Sequence, residues 1–194
     1  NMKRLLLILI LTLSLQSLTK ADDIKDFLQI EGMSLHDSAL DFLSKDKLDQ
    51  RKEIGFVYGD KSFYSATYYD EVFFKAYDAV QLHIKANDSN YTIYSIAGRI
   101  YFDNDFNECL NRMDEIALRI KKTFYNAKFL NQGTEVWTTT SGDKVKTKSY
   151  FFLLPAGDEI VLECYDQPET VNIIDNLNIA IDSKEFAKWL RKQS

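Results

Sequence analysis

Two hydrophobic periods divide the chain. In Ala79–Lys85, Val80, Leu82 and Ile84 alternate with Gln81, His83 and Lys85, the two-residue period of a half-buried strand. Phe63–Tyr69, rich in aromatic and β-favouring residues, reads the same way. The polar cluster 86–90 is a hairpin turn. Tyr91–Phe102 then runs back as a strand apolar on both faces, with Gly98 expected at a bulge or bend.

After Asp103-Asn104-Asp105 the period changes. Phe106, Leu110, Met113, Ala117, Ile120 and Phe124 recur at spacings of three and four, with Cys109 and Ile116 widening the stripe. This predicts a long amphipathic helix ending near Tyr125. Strand patterns return at 134–140, 144–154, 159–165 and 177–181, and Ser183 caps a short closing helix to Arg191. Near the start, Ser34 with Asp37 predicts a capped helix burying Leu35, Ala39, Leu40, Phe42 and Leu43, followed by a more polar helical turn over Lys45–Lys52. Consecutive hairpins on either side of one long helix predict an α+β fold. The expected sheet is mainly antiparallel, with about six to seven strands. The long central helix packs on one face, and short helices stand at the N- and C-terminal ends.

The first 21 residues follow neither period. Lys3 and Arg4 precede an apolar run from Leu5 to Leu15, and a polar stretch ends in Thr19-Lys20-Ala21. That is the pattern of a secretory signal peptide, cleaved after Ala21. At about half the ~20 residues needed to span a bilayer, the run is too short for an anchor, and no Cys lies near Ala21 to carry lipid. Its removal takes away Lys3, Arg4 and Lys20. Residues 22–194 then carry 21 cations against 29 anions, a net charge of −8 over 173 residues. They are expected to form a single domain with no membrane span. No linker or repeat interrupts them, and Pro155 and Pro168 fall at breaks between apolar runs.

Composition narrows the chemistry. At 45% hydrophobic and 13% aromatic residues the chain is too apolar for disorder, and 24 cations against 29 anions argue against a nucleic-acid footprint. With two His and two Cys, no metal or cofactor motif is predicted. No His follows His83, so a hydrolase triad with a C-terminal His is ruled out. His36 and His83 are both expected at the surface. His36-Asp37-Ser38-Ala39-Leu40 lacks the Gly of a Gly-Asp-Ser-Leu esterase block, and helix capping accounts for its Asp and Ser. Asp103-Asn104-Asp105 begins like a calcium loop but has Glu108 and Asp114 where Gly and Glu belong.

Three groups remain. Cys109 lies on the apolar face of the long helix, and Cys164 shares strand parity with Ile160 and Leu162. In an exported chain two inward cysteines suggest a disulfide, with two buried free thiols as the alternative. Tyr64, Tyr68 and Tyr69, within the aromatic run Phe63–Tyr77, are the candidate ligand or partner surface. Lys144, Lys146 and Lys148 read as protection of an exposed sheet edge. Asn87-Asp88-Ser89 and Asn90-Tyr91-Thr92 match the glycosylation pattern of a eukaryotic secretory pathway.

Ile30-Glu31-Gly32-Met33-Ser34, Asp37–Phe42, Tyr94–Gly98, Glu108-Cys109, Asp114-Glu115-Ile116, Asp175-Asn176-Leu177 and Lys184-Glu185-Phe186 together resemble a group of uncharacterised exported proteins of small-genome marine bacteria. The use of 18 Lys to 6 Arg suits such AT-rich genomes. More distantly, Gly-Met-Ser opening a helix is similar to the start of small outer-membrane assembly lipoproteins and of tandem-repeat lactamase-inhibitor proteins. This chain has neither their lipid-bearing Cys nor the Leu-Gly-x-Pro that follows their helix. The likeness implies a protein-binding module. The expectation is therefore a periplasmic or secreted non-enzymatic protein that binds another envelope protein. The alternatives are a small-ligand or glycan-binding protein using exposed tyrosines, and a hydrolase using carboxylates alone.

Overall fold

The computed structural model describes residues 27–69, 71–139, 141–168 and 174–193. The expected signal segment 1–21 and its cleavage point after Ala21 lie outside them.

Helix α1 (Lys45–Ile54) leads into strands β1 (Phe56–Val57), β2 (Phe63–Tyr69), β3 (Ala79–Lys85) and β4 (Ile93–Tyr101). Helix α2 (Phe106–Thr123) leads into β5 (Lys128–Thr138), β6 (Lys144–Leu153), β7 (Glu159–Asp166) and β8 (Asn176–Asp182), and α3 (Lys184–Leu190) closes the chain. The fold is α+β, as the periods require. Each half is a helix followed by a four-strand meander. The meanders join through β4 and β8 into one antiparallel sheet of order β1-β2-β3-β4-β8-β7-β6-β5.

One face of this sheet is the core. Asp105 caps α2, its side chain accepting from Glu108 N at 2.9 Å. The helix buries Cys109, Met113, Ile116, Ala117 and Ile120 against β7 and β8. Cys109 and Cys164 are disulfide-bonded, Cα atoms 6.0 Å apart, tying α2 to β7. Helix α1 lies on β2, with Arg51 over the Tyr68 ring and Lys52 over the Tyr64 ring. Ile30 and Met33, from the segment before α1, belong to the same core.

Several expectations change. Tyr64 and Tyr68 are buried core residues, each 1% exposed, and form no surface. Strand parity puts them with Ala66 on the helix-covered side, whereas Tyr69 points to the opposite face and is 49% exposed. The three therefore do not lie on one face.

Residues 34–43 do not form one helix. Ser34 N does donate to Asp37 Oδ2 at 2.8 Å, but His36 takes φ of 69° and the backbone pairs with the start of β4. His36 N donates to Ile93 O at 2.8 Å and Ala39 N to Tyr91 O at 3.0 Å, leaving only a 3-10 turn at Ala39–Asp41. The regular helix starts after Ser44, which caps α1.

Gly98 is in regular register, with Val80 on one side and Ile179 on the other, and the β3–β4 irregularity lies at His83/Ile84. Its missing side chain serves close approach instead, because a Cβ there would stand 2.3 Å from the Tyr77 ring. Lys144, Lys146 and Lys148 line an interior strand, β6, which β5 and β7 flank; the edge strands are β1 and β5. Strand β5 begins at Lys128 rather than 134. A bulge at Asn131/Gly133, with Gly133 at φ 74°, absorbs residues that read as a loop.

Candidate functional site

The opposite face of the sheet carries a cleft of about 590 Å³. Strand register sets its floor in three rows, because residues two apart on each strand share a face. The middle row is apolar: Ala97, Ala180, Val161 and Phe151 follow one another across β4, β8, β7 and β6. On one side lies the row Arg99, Asn178, Glu163 and Ser149; on the other lies His83, Ser95, Asp182 and Glu159. Phe186 and Leu190 of α3 wall one end, and Trp137 of β5 stands on the rim.

The row at the α3 end is a buried hydrogen-bond chain. Tyr58 Oη is 2.9 Å from His83 Nε2, His83 Nδ1 is 3.2 Å from Ser95 Oγ, and Ser95 hydrogen-bonds Asp182. With Asp182 ionised, the chain has one consistent direction. Ser95 donates to the carboxylate, His83 Nδ1 donates to Ser95, and Tyr58 donates to Nε2. Burial, aided by the Arg99 charge, pushes the His83 imidazole down to about 3. Burial first, then repulsion from Glu159 and Glu163, pushes the Asp182 carboxyl up to about 7, against the hydrogen bond from Ser95. Glu159, opposite Asp182, is held by Arg191 at 2.7 Å.

Ser, His and Asp thus meet here in an order unlike a hydrolytic triad. In a triad the imidazole stands between carboxylate and hydroxyl, orienting toward the nucleophile. Here the hydroxyl stands between imidazole and carboxylate. Asp182 takes up the Ser95 hydroxyl, and an imidazole held down to about 3 is a poor base near neutral pH. The arrangement holds polar groups in fixed orientation on a cleft floor, which is what recognition of a ligand requires.

The other polar row is less self-contained. Arg99 Nη2 donates to Gln81 Oε1 at 3.2 Å, and Gln81 Nε2 donates to Thr67 Oγ1 at 3.1 Å. Glu163 accepts from Ser149 Oγ at 3.2 Å and from Tyr165 Oη at 2.9 Å. Burial, followed by the Glu163 charge, drives the Tyr165 phenol upward, so it remains a donor. Asn178 Oδ1, between Arg99 and Glu163, meets no donor among the described residues.

His83 is therefore buried in the cleft, not at the surface as expected; His36 is exposed. Of the expected tyrosine surface, none lines the cleft: Tyr64 and Tyr68 lie in the core beneath the sheet, and Tyr69 lies beyond the lining. Cys109 and Cys164 are on the core side. The signal for the missed residues was present as alternation: Gln81/His83 in β3, Glu159/Glu163/Tyr165 in β7 and Asn176/Asn178/Asp182 in β8. Among the described residues no group of three His, Cys, Asp or Glu could hold a metal ion, and no helix is long and apolar enough to cross a membrane.

Comparison of the chain with known protein families, with curated proteins and with solved structures returns no match in any of the three, so the residues of the cleft carry the functional reading.

Proposed function

We propose that this is an exported, non-enzymatic protein that binds a small molecule in the cleft on the face of its sheet opposite α2. The observation that carries the reading is the cleft floor: an apolar stripe between two polar rows that include the buried His83 and Asp182. Burying such groups beside an open face costs stability, and a ligand-facing floor gives a reason to keep them there. The apolar leader before Ala21 and the Cys109–Cys164 bond support export to an oxidising compartment.

Backbone amide shifts of the purified protein, followed while a metabolite panel is titrated, test the reading. At least one compound class should move Ala97, Arg99, Asn178 and Ala180 together. Ala180→Leu, which puts a larger side chain on the stripe, should suppress that response while the rest of the spectrum holds. A panel that leaves these amides unmoved overturns the proposal.

A second reading, docking of another envelope protein, is favoured by the free edge of β5. This strand offers eleven residues with Val136 and Trp137 exposed, a geometry that accepts an added strand. A crosslinked partner whose capture is lost in Val136→Lys but kept in Ala180→Leu would support it over the cleft.

A further inference from the structure

The row Arg99–Asn178–Glu163 holds two opposite charges apart. Asn178 is the register partner of both, so the two charged residues stand on strands β4 and β7 with β8 between them. At the usual strand spacing their backbones are about 10 Å apart. Asn178 is the shortest of the three side chains, and all three line the cleft.

Among the described residues, no carboxylate lies within ion-pair distance of Arg99, and no cation within ion-pair distance of Glu163. Each is nonetheless oriented. Gln81 and Tyr101 each engage the Arg99 guanidinium, leaving others of its five N–H donors for a planar anion. Ser149 and Tyr165 each bond one oxygen of Glu163, which fixes the carboxylate while leaving lone pairs for a further donor. The carbonyl of Asn178, on the strand between them, is itself buried.

This row runs beside the apolar stripe Ala97–Ala180–Val161–Phe151, one pleat away. A ligand that satisfies both must carry an anion and a hydrogen-bonding cation close together at one end, with an apolar body at the other. We infer that the ligand of the cleft is an α-amino acid with an apolar side chain. Its carboxylate meets Arg99, its ammonium meets Glu163, and its side chain lies on the stripe. A simple amphipathic acid would leave Glu163 unused, and a simple amine would leave Arg99 unused.

The inference rests on reading the cleft as a binding site, and the test separates the two. L-Leucine and L-phenylalanine are titrated calorimetrically into the full chain, alongside N-acetyl-L-leucine, which lacks the cation, and L-leucinamide, which lacks the anion. The free amino acids should bind, and removal of either charge should weaken binding at least about tenfold, the scale of a charged hydrogen bond. Arg99→Gln should erase the preference for leucine over leucinamide while leaving the preference over N-acetyl-leucine. Glu163→Gln should do the reverse. Equal binding of all three leucine compounds overturns the inference, as does a cleft ligand from another class with amino acids inert; in both, the cleft remains a binding site. Amides of the cleft floor that no compound moves overturn the broader reading instead. The arms with unaltered protein decide the matter even where a substitution disturbs folding.

Discussion

His83 Nδ1 lies 3.2 Å from Ser95 Oγ on the neighbouring strand, and this contact links Tyr58 to Asp182 through one chain of hydrogen bonds. His83 and Asp182 are both buried in this chain, so the two groups are displaced in opposite senses. The imidazole is held neutral far below its ordinary range, and the carboxyl keeps its proton to about 7.

The pH dependence of stability follows from these signs. Native His83 refuses a proton that the unfolded chain accepts below about 6.5, so its contribution is full above that pH and is lost as pH falls toward 3. Native Asp182 keeps a proton that the unfolded chain releases near 3.8, so its contribution is full below that pH and is lost as pH rises toward 7. Between roughly 4 and 6.5 the two slopes, each of order 1.4 kcal/mol per pH unit, oppose one another. Denaturant melts across this window should show little contribution from the pair in the unaltered protein. Asp182→Asn should unmask a loss of stability on acidification, and His83→Gln a loss as pH rises. Variants whose profiles run parallel to the unaltered protein would refute the assignment.

The Cys109–Cys164 bond closes a loop with a sequence separation of 55. On the loop-entropy view its removal costs on the order of 4 kcal/mol. The double variant Cys109→Ala/Cys164→Ala should melt well below the oxidised protein, and thiol labelling of native protein should detect no free cysteine. Stoichiometric labelling would rule the bond out.

Gly98 and Tyr77 should behave as a coupled pair. A Cβ at 98 stands 2.3 Å from the ring, so Gly98→Ala should cost about 1–3 kcal/mol by overpacking. In a Tyr77→Ala background the same change should cost much less, a coupling that a double-mutant cycle measures directly. Additive losses would contradict close approach as the role of Gly98.

Glu31 holds the chain segment before β3 by its backbone. One carboxylate oxygen accepts from the N–H groups of Lys75, Ala76 and Tyr77 at 2.8, 2.7 and 3.0 Å. Bonds to a charged acceptor contribute about 1.5–3 kcal/mol each when isolated, and a shared oxygen less. Glu31→Ala should therefore destabilise by about 2–3 kcal/mol and speed amide exchange at 75–77. Unchanged exchange at those three amides would show that the cradle contributes nothing.

Local pattern made much of the fold legible. The β2 and β3 boundaries, the stripe of α2 and the inward cysteines follow from periodicity, because burial on one face leaves a period that a single strand or helix cannot hide. Where the chain departs from local preference, a distant partner intervened. His36 and Ala39 pair with the β4 start instead of continuing a helix, and the first six residues of β5 are strand because β6 pairs with them across a bulge. Parity alone does not place Tyr64 and Tyr68, since a strand aromatic on both sides does not say which side the helices will cover.

The sequence by itself determined the elements, the alternation within them, and the supply of polar side chains on β3, β7 and β8. Tertiary structure alone decided that those polar faces belong to one cleft. That depends on β4 pairing with β8, which places Arg99 beside Asn178 and Ser95 beside Asp182 across about eighty residues of chain. A strand's alternation states which residues share a side, but a strand edge offers the same backbone donors and acceptors to any partner. The choice of neighbour is made by packing of the whole sheet against α1 and α2, and with it the site is made.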